Sequence, residues 1–485
     1  MAKFYITNAI PYVNAKPHVG HSLEFVQSDT IARWHKILGD DVLLLCGGDE
    51  NALKNVQAAE KAGVPVQDFV DTNTQLFADL ANALNVHFDV FQKGSSPMHH
   101  ASSQKLWELC NANGDIYKKE YTGLYCVGCE LFYEKDELNE NGECFEHPGK
   151  PLEEVTEENY FFRLSKYQKA IEAFIATDAL QITPAHRKKE ILTFVRTGLE
   201  DISISRSNER AKNWGVPVPN DDTQRMYVWF DALNIYQSGV GFGSAEQNSV
   251  EMYKKWWPAD VHVIGKGIIR FHAVYWPAFL LSAHLPLPKS LFVHGYFTVN
   301  GQKMSKTLGN VIDPLSLIPT YGSDGLRYYF LHEIPPTSDG DFSLARLKEV
   351  YNADLANGLG NVVARVAKLC ETSHFTQLIA ANKTSEHLLS LEGYGNALNE
   401  YRFHDALSFI WKKISALDKF INEEKPWELV QTDLVKLREI LSHAVDQIQE
   451  IAILLEPFLP TTAQKIEDQF SKPEITSAPS LFPRL

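Results

Sequence analysis

Two strand–helix–strand segments, far apart in the chain, constrain the fold of this sequence more than any other feature. The first reads KFYITNAI, then a helix predicted from about His18 to Leu38, then the apolar run DDVLLLCGGDE. The second reads VHVIGKG, IIRFHAVYWPAFLLSA and LFVHGYF, which again predict a strand, a helix and a strand. Short, continuously apolar strands are typical of parallel sheets buried on both faces. Two such halves predict an α/β fold, a doubly wound parallel sheet of the Rossmann type, interrupted by an insertion.

The insertion and the last part of the chain differ from these two halves in their sequence patterns. The predicted boundaries are 1–115 for the first half of the sheet domain, 116–225 for the insertion, 226–299 for the second half, 300–350 for a glycine-bounded loop with the region after it, and 351–485 for a helical domain. In the last part, apolar residues recur at steps of three and four, as at Leu437, Leu441, Ala444, Ile448 and Ile451. This spacing lies on one face of a helix and predicts a C-terminal α-helical bundle.

The length, composition and net charge of the chain restrict the class of protein. The chain has 485 residues, 44% hydrophobic and 22% charged, which is typical of a folded soluble protein. No apolar run is long enough to span a membrane, and the N-terminus does not resemble a secretory signal, so we expect a cytoplasmic protein with no membrane partner. The net charge of −15 argues against wrapping by nucleic acid but leaves local RNA binding open.

The stretch PHVGH places two histidines around a glycine, just after the first strand. His18 and His21 are predicted on the first turn of the following helix, at the carboxyl edge of the sheet, where backbone amides and the helix dipole attract anions. Gly20 leaves room for the close approach of a ligand. The pattern predicts a phosphate-binding site; the alternative is two histidines that serve only as a cap or as core residues.

A second polar segment, NGQKMSKTLGN, follows the last strand of the second half. Its two lysines, Lys303 and Lys306, lie three residues apart on a glycine-bounded loop. Such a loop can close over a triphosphate and offset the charge of a leaving pyrophosphate. Taken alone, two lysines are ordinary surface charges. Together with the histidines they complete a phosphate clamp that neither segment provides by itself.

Four of the five cysteine and histidine residues in the insertion have the spacing of a metal site. Cys126 and Cys129 form a C-x-x-C pair, and Cys144 and His147 form a C-x-x-H pair. Four soft ligands in two such pairs are typical of a closed tetrahedral zinc site, so we expect one structural Zn²⁺ per chain. The remaining thiols are those of Cys46, Cys110 and Cys370, and we expect them to be packing residues.

The segments HVGH and KMSKT resemble the HIGH and KMSKS motifs of the class I aminoacyl-tRNA synthetases. Within that class the chain is similar to the methionyl enzymes, through NAIPYVNAKPHVGH, MYVWFDALNIY, GKGIIRFHAVYWPAFL and NADLANGLGNVVAR. The resemblance implies ATP-dependent ligation of L-methionine to tRNA(Met) through a methionyl-adenylate, with Mg²⁺ accompanying ATP. It implies catalytic roles for His18, His21, Lys303 and Lys306, and ATP binding by the same four residues with Gly20 and Ser305.

The same resemblance assigns the amino-acid pocket and the tRNA-reading surface. It implies methionine binding by Ala9, Ile10, Tyr12, Asp49, Trp229, Ala232, Tyr236, Ile268 and His272. It implies anticodon reading by Asn357, Asn361, Arg365, Pro426 and Trp427, and stem contacts after the lysine loop. The carboxylate of Asp49 suits an ammonium group, and aromatic rings suit a thioether. Without the resemblance, the aromatic residues read as core and the asparagine stripe as a solvated helix face.

The chain departs from the family pattern in two segments that are expected to lie near the nucleoside of bound ATP. Where the family usually reads D-E-H-G, this chain has DENA, with Asn51 and Ala52 in place of histidine and glycine. Where the family usually reads G-K-D, this chain has GKG, with Gly267 in place of an aspartate. Both changes leave the phosphate and methionine residues intact, and they put the individual nucleoside contacts in question.

Two other functions stay open at this level. One is a tRNA-binding relative that has lost amino-acid activation; the retained histidines and lysines argue against it, since a binder does not need a pyrophosphate clamp. The other is a class I synthetase for another small apolar amino acid. The chain ends soon after the predicted bundle, and a monomer is expected.

Overall fold

The computed structural model describes most of the chain. The described residues are 2–126, 128, 131–133, 138–145, 149–304, 310–377, 388, 391 and 393–485, with only the backbone of Leu131, Phe132 and Lys303. Among these residues, no helix combines the length and the apolar character that crossing a membrane requires.

The first half of the sheet domain follows the predicted alternation. Its elements are β1 (Lys3–Asn8), α1 (Val19–Ile37), β2 (Asp41–Gly48), α2 (Leu53–Ala62), α3 (Val66–Ala83), β3 (Val90–Lys93) and α4 (Pro97–Ala112). The helix predicted from about His18 to Leu38 is confirmed, with these two residues as its N-cap and C-cap. Residues of β2 alternate between the two faces: Leu43 and Leu45 pack on one side, and Leu44 and Cys46 on the other.

The second group of elements contains the insertion. It comprises β4 (Ile116–Cys126), β5 (Leu131–Tyr133), β6 (Glu153–Phe162), α5 (Gln168–Ala176), β7 (Gln181–Thr183), α6 (Ala185–Thr197), β8 (Ile202–Ser203), β9 (Ser205–Ser207), β10 (Pro217–Val218) and β11 (Asp221–Met226). Two antiparallel sheets, β5-β4-β6-β8 and β10-β11-β9, form within this group. The short strand β7 does not belong to either, because it pairs with the central sheet.

The second half of the sheet domain and the region after it come next. Their elements are α7 (Val228–Ala232), α8 (Ile235–Ser238), α9 (Gln247–Trp256), β12 (Val261–Gly265), α10 (Trp276–Ser282), β13 (Ser290–His294), β14 (Phe297–Val299), β15 (Gln302–Lys303), α11 (Ile318–His332), β16 (Gly340–Phe342) and α12 (Leu344–Val350). Where one continuous helix is predicted after β12, the structure has a 3₁₀ turn, Lys266–Ile268, and a π-helix, Phe271–Tyr275, before α10. Pro277 explains the π turn, because its ring cannot follow a regular α-helical turn and has no N–H to donate.

The central sheet is parallel throughout, as predicted. Among the described residues its six strands run in the order β3-β2-β1-β12-β13-β7. The chain builds outward from β1 in one direction and from β12 in the other, so the strand order reverses between these two neighbours. In doubly wound sheets, ligands bind outside the carboxyl ends of the strands at this reversal. One difference from the prediction is that β7, inside the stretch assigned to the insertion, forms the edge of this sheet beside β13.

The last part of the chain is helical, as predicted. It begins with a π-helix, Tyr351–Gly360, followed by α13 (Asn361–Thr372), α14 (Tyr394–Asn399), α15 (Phe403–Glu424), α16 (Pro426–Leu429), α17 (Leu434–Leu455) and α18 (Pro460–Phe470). The buried guanidinium of Arg327, on α11, joins this bundle to α1: it lies 2.7 Å from Asp29 Oδ2 and donates to the carbonyl of Phe458 at 2.7 Å. The bundle therefore packs as one body with the face of the sheet that carries α1.

Candidate active site

The two histidines of the HVGH segment cap the N-terminus of α1. His18 is the N-cap: its Nδ1 accepts a hydrogen bond from the amide of Gly20 at 3.1 Å. His21 lies three residues later, and its Nδ1 accepts from the amide of His18 at 3.1 Å. This is a reciprocal capping box built from two imidazoles, and it satisfies two amides that a helix start otherwise leaves unpaired.

This capping arrangement sets the tautomer of both rings. Since each Nδ1 accepts a hydrogen bond from a backbone amide, the proton of each neutral ring must sit on Nε2. The two rings stack with centroids 3.9 Å apart, and the edge of His21 meets Phe77 at 4.9 Å. Burial, followed by the proximity of His18, lowers the pKa of His21 well below 6.5, so that ring is neutral at pH 7. Neutral N–H donors at a helix N-terminus suit the oxygens of a phosphate.

The KMSKT segment approaches the same helix end. The Met304 methyl group lies 3.5 Å from the place that a Cβ atom on Gly20 would occupy, and the His18 ring lies 3.0 Å from it. The amide of Val19 donates to the carbonyl of Ile312 at 3.2 Å, so the chain beyond the lysine loop is also attached there. The side chain of Lys303 and residues Ser305 and Lys306 lie outside the described part. The described residues on the two sides of this loop, Met304 and Ile312, nevertheless both reach the start of α1.

The residues assigned to the amino-acid pocket lie together, beyond the carboxyl ends of β1 and β2. Ala9, Trp229, Ala232 and Tyr236 are buried in one hydrophobic cluster, and Ile10, Tyr12 and Ile268 pack against it. Asp49 is 3% exposed, and its backbone bridges to that of Tyr12. The edge of Tyr12 meets Trp229 at 6.2 Å between ring centroids. The structure therefore groups residues from four separate parts of the sequence.

Hydrogen bonds fix one side of this pocket. His272 Nδ1 donates to the carbonyl of Ile268 at 2.9 Å, and its Nε2 accepts from the Tyr236 hydroxyl at 2.8 Å. Burial lowers the pKa of His272 to about 4, so the ring stays neutral and keeps this tautomer. The buried Nε1 of Trp229 has no partner among the described residues. This indole N–H is available to a polar atom of a bound ligand.

The structure adds polar residues that the sequence did not single out. Glu24, on α1, accepts from Asn8 Nδ2 at 2.7 Å and from His294 Nε2 at 2.7 Å, which links α1 to the ends of β1 and β13. His262, on β12, is fully buried with its ring 4.5 Å from that of Tyr236. Its Nε2 has no partner within the described part of the chain. Only His294 had a signal in the sequence, because it lies at the carboxyl end of a predicted strand.

The departure at Asn51 has a visible structural role. Asn51 is buried, and its Nδ2 donates to Asp231 Oδ2 at 2.6 Å and to the carbonyl of Gly94 at 2.8 Å. His99 Nε2 lies 3.4 Å from the same carboxylate oxygen of Asp231. Ala52, the other departure in DENA, is fully buried at the start of α2. These two residues therefore stabilise the packing behind the pocket.

Two of the four predicted zinc ligands lie in the described part. Cys126 ends β4 and is paired with Leu131 of β5, and Cys144 Sγ lies 3.4 Å from the hydroxyl of Tyr133, also on β5. Both thiols are buried at this hairpin. Cys129 and His147 lie outside the described residues, and the described ranges alone contain no group of three or more possible metal ligands. As expected, Cys46, Cys110 and Cys370 are packed in the hydrophobic core.

The residues assigned to anticodon reading share one surface of the bundle. Arg365 lies 3.2 Å from Asp418 Oδ1, donates to Asn422 Oδ1 at 2.7 Å, and stands over the ring of Trp427 at 5.0 Å. Trp427 is 45% exposed, which leaves its ring accessible. Asn357 and Asn361 are exposed, and Pro426 is buried. Asn357, Asp418 and Asn422 line a cavity of about 420 Å³ beside Arg365.

Comparisons with known proteins agree with this geometry. A family model described as "tRNA synthetases class I (M)" matches residues 4–367. The methionine–tRNA ligase of Brucella suis is 40% identical over 97% of this chain and 92% of its own length, and that of Thermotoga maritima is 39% identical over 96% and 74%. The Mycobacterium tuberculosis methionyl-tRNA synthetase in complex with methionyl-adenylate superposes with a TM-score of 0.92, at 36% identity and full coverage of both chains. Its apo form superposes at 0.84, with 33% identity and coverage of 100% and 98%.

Proposed function

Since this chain belongs to the class I tRNA synthetases, and among them to the methionine–tRNA ligases, we propose that it performs their two-step reaction with the residues described above. It activates L-methionine with ATP and joins it to tRNA. The observation that carries this proposal is the approach of Met304 to Gly20, which places this residue of the lysine loop beside the capping histidine His18.

In the activation step, a carboxylate oxygen of methionine attacks the α-phosphorus of ATP in line, and pyrophosphate leaves. His18 and His21 donate their Nε2–H groups to phosphate oxygens, while Lys303 and Lys306 offset the charge on the leaving pyrophosphate. Mg²⁺ accompanies ATP and supplies further positive charge to its phosphates. The chain supplies orientation and charge stabilisation, and no side chain is assigned as a general base.

Methionine is held in the pocket around Trp229. The carboxylate of Asp49 binds its ammonium group, and the rings of Tyr12, Trp229 and Tyr236 enclose the thioether, a contact worth about 0.3–1.5 kcal/mol. Ala9, Ile10, Ala232 and Ile268 limit the size of the side chain, and His272 holds the Tyr236 hydroxyl. The indole N–H of Trp229, which has no partner among the residues that the structure describes, supports a polar ligand atom at this place.

In the transfer step, the 2′-hydroxyl of the terminal adenosine of the tRNA attacks the carbonyl carbon of methionyl-adenylate, and AMP leaves. The anticodon is read by Asn357, Asn361, Arg365, Pro426 and Trp427. Exposed amides and a guanidinium can hydrogen-bond the edges of unstacked bases, and an exposed tryptophan ring can stack on one. The ion pair between Arg365 and Asp418 supports this role, because it orients the guanidinium.

The zinc site in the insertion is part of the same proposal. Zn²⁺ would be held by Cys126, Cys129, Cys144 and His147 as a closed tetrahedral site with a structural role. The buried thiols of Cys126, at the end of β4, and of Cys144, in contact with Tyr133 of β5, fit this ligand set, because both reach the same hairpin and are shielded from solvent. We also propose that the protein acts as a monomer in the cytoplasm, where aminoacyl-tRNA is used in translation.

Charging of tRNA transcripts tests the proposal. The purified protein should attach methionine to a tRNA transcript with the anticodon CAU. Replacing one anticodon base should lower kcat/KM by roughly one to two orders of magnitude, the usual cost of a lost specific base contact. A tRNA-binding relative without activation would bind the transcript and form no methionyl-tRNA. A synthetase for another amino acid would charge the transcript poorly with methionine and better with that amino acid.

A further inference from the structure

Gly267 and Tyr296 meet at the crevice where the strand order reverses. Gly267 lies two residues beyond the end of β12, and Tyr296 lies two residues beyond the end of β13. The carboxyl end of β12, beside β1, is one wall of the crevice in which sheets of this kind bind ligands. A residue at either position can therefore contact a bound nucleotide.

The hydroxyl of Tyr296 occupies the space that a side chain at position 267 would need. A Cβ atom on Gly267 would lie 1.7 Å from the Tyr296 hydroxyl oxygen and 3.0 Å from its Cζ. The neighbouring glycine, Gly265, would place a Cβ atom 4.0 Å from the same ring and 3.5 Å from the ring of His294. With the tyrosine in this position, residue 267 has to be glycine.

Several contacts hold Tyr296 in place. Its amide donates to Asp339 Oδ1 at 2.9 Å, and its carbonyl accepts from the amide of Gly340 at 3.0 Å. Lys266 Nζ stands 4.7 Å from the centroid of the ring and is itself bound to Asp339 Oδ2 at 2.7 Å. The ring is 38% exposed. The phenol is therefore oriented before any ligand arrives, which lowers the entropy cost of binding to it.

A line of polar groups connects this tyrosine with the phosphate end of the crevice. His21 and Glu24 lie one turn apart on α1, and Glu24 accepts from His294 Nε2 at 2.7 Å, two residues before Tyr296. The charged and imidazole groups gather at the helix start, where the phosphates are proposed to bind. Tyr296, two residues beyond His294, presents a hydroxyl over Gly267. A neutral group that both donates and accepts suits the hydroxyls of a sugar.

We propose that the Tyr296 hydroxyl, standing over Gly267, binds the ribose of ATP and of the adenylate in place of a side chain at position 267. This inference rests on the proposed function, because it takes ATP as the ligand of the crevice. Tyr296 is then a substrate-binding residue that determines how strongly the site prefers a ribonucleotide. Gly267, which departs from the family pattern, has no side chain in the space that this hydroxyl occupies.

The test compares ATP with its deoxy analogues. In methionine-dependent pyrophosphate exchange, Tyr296→Phe should raise the KM for ATP roughly threefold to tenfold with little change in kcat, because one hydrogen bond to the ground state is lost. The wild type should discriminate against 2′-deoxyATP or 3′-deoxyATP by a similar factor, and Tyr296→Phe should lose that discrimination, as in a double-mutant cycle. Gly267→Ala should have the same effect, since its methyl group displaces the hydroxyl.

The control is Tyr117→Phe, which removes a hydroxyl that donates to Asp201 in the insertion. It should leave the KM for ATP and the discrimination against the deoxy analogues unchanged. The inference is overturned if Tyr296→Phe leaves the KM for ATP unchanged, or raises it equally for ATP and both deoxy analogues. If the wild type shows no methionine-dependent exchange, the proposed function fails. The inference is then tested by calorimetry, which measures the binding of ATP and of the two deoxy analogues to the wild type and to Tyr296→Phe. It is overturned if the substitution leaves the affinity for ATP unchanged, or weakens the binding of all three nucleotides equally.

Discussion

Met304 and Gly20 lie in contact across the two halves of the site, with the Met304 methyl group 3.5 Å from the Cβ position of Gly20. Met304 belongs to the lysine loop and Gly20 to the histidine segment, which are far apart in the sequence. Because the His18 ring also lies 3.0 Å from that position, a larger residue than glycine would push the ring out of its capping geometry. The absence of a side chain at Gly20 therefore allows the His18 ring and Met304 to pack against the start of α1.

The double role of His18, as helix cap and as phosphate donor, can be separated by substitution. Asparagine is a good N-cap residue but has no group equivalent to Nε2–H, whereas alanine provides neither. We expect His18→Asn to lower methionine-dependent pyrophosphate exchange by about 100-fold or more, the usual effect of losing a transition-state donor, with an unchanged thermal unfolding midpoint. His18→Ala should show the same loss of exchange and a lower midpoint, because a lost cap costs about 1 kcal/mol. Wild-type exchange by His18→Asn would show that the ring only caps the helix.

Asp418 should affect tRNA recognition without affecting methionine activation. Its carboxylate contacts the Arg365 guanidinium and the Asn422 amide, so Asp418→Asn loosens the orientation of both groups. We expect kcat/KM for tRNA charging to fall roughly threefold to tenfold, since the pair is partly exposed, while exchange without tRNA stays at the wild-type level. Asp405→Asn, the same change near the start of α15, is the matched control and should affect neither assay. Equal losses in both assays would instead indicate a structural defect.

Removal of zinc ligands should be visible in metal content. We expect the wild type to contain one Zn²⁺ per chain, measured by atomic emission, and Cys126→Ser and Cys144→Ser to contain close to none, because a structural site needs all four ligands. Cys370→Ser changes another buried thiol, on α13, and should keep its zinc. A wild type purified without added chelator that contains no zinc, or a Cys126→Ser variant that keeps it, would contradict the site.

Buried histidines should make the protein less stable at acid pH. Burial lowers the pKa of His21 and His262 well below 6.5 and that of His272 to about 4. As the pH falls below about 6.5, the unfolded chain binds protons that the folded chain does not, so stability falls down to about pH 4. We expect the thermal unfolding midpoint to drop between pH 7.5 and pH 5, and to drop less in His272→Asn. The exposed His284→Asn is the control and should keep the wild-type pH dependence; an equal drop in His272→Asn would contradict the assignment.

Much of the fold could be predicted because strands buried on both faces are continuously apolar. The runs at β1, β2, β12 and β13, and the periodic helices of the bundle, follow directly from this pattern. Strand β7 could not be predicted in the same way: it has three residues, QIT, and its place at the sheet edge depends on pairing with β13. The π-helices at Phe271–Tyr275 and Tyr351–Gly360 were also missed, since the apolar spacing of one turn does not distinguish them from α-helix.

The candidate site, like the fold, could be predicted only in part. The motifs and the family resemblance predict roles for His18, His21 and the pocket aromatics, because each residue type stands at a fixed spacing within a matching segment. Glu24, His262 and His294 were missed because their contacts join elements that lie far apart in the sequence. The contact between Tyr296 and the empty side-chain position of Gly267 could not be predicted either, because a sequence does not show which side chain fills the space beside a glycine.

The measurement that tests the central claim most directly is methionine-dependent exchange of labelled pyrophosphate into ATP. If the histidine segment and the lysine loop close on one ATP beside a methionine pocket, the purified protein will catalyse this exchange with L-methionine, and Lys306→Ala will reduce it by about 100-fold or more. No exchange with methionine, faster exchange with another amino acid, or full exchange by Lys306→Ala would contradict the account.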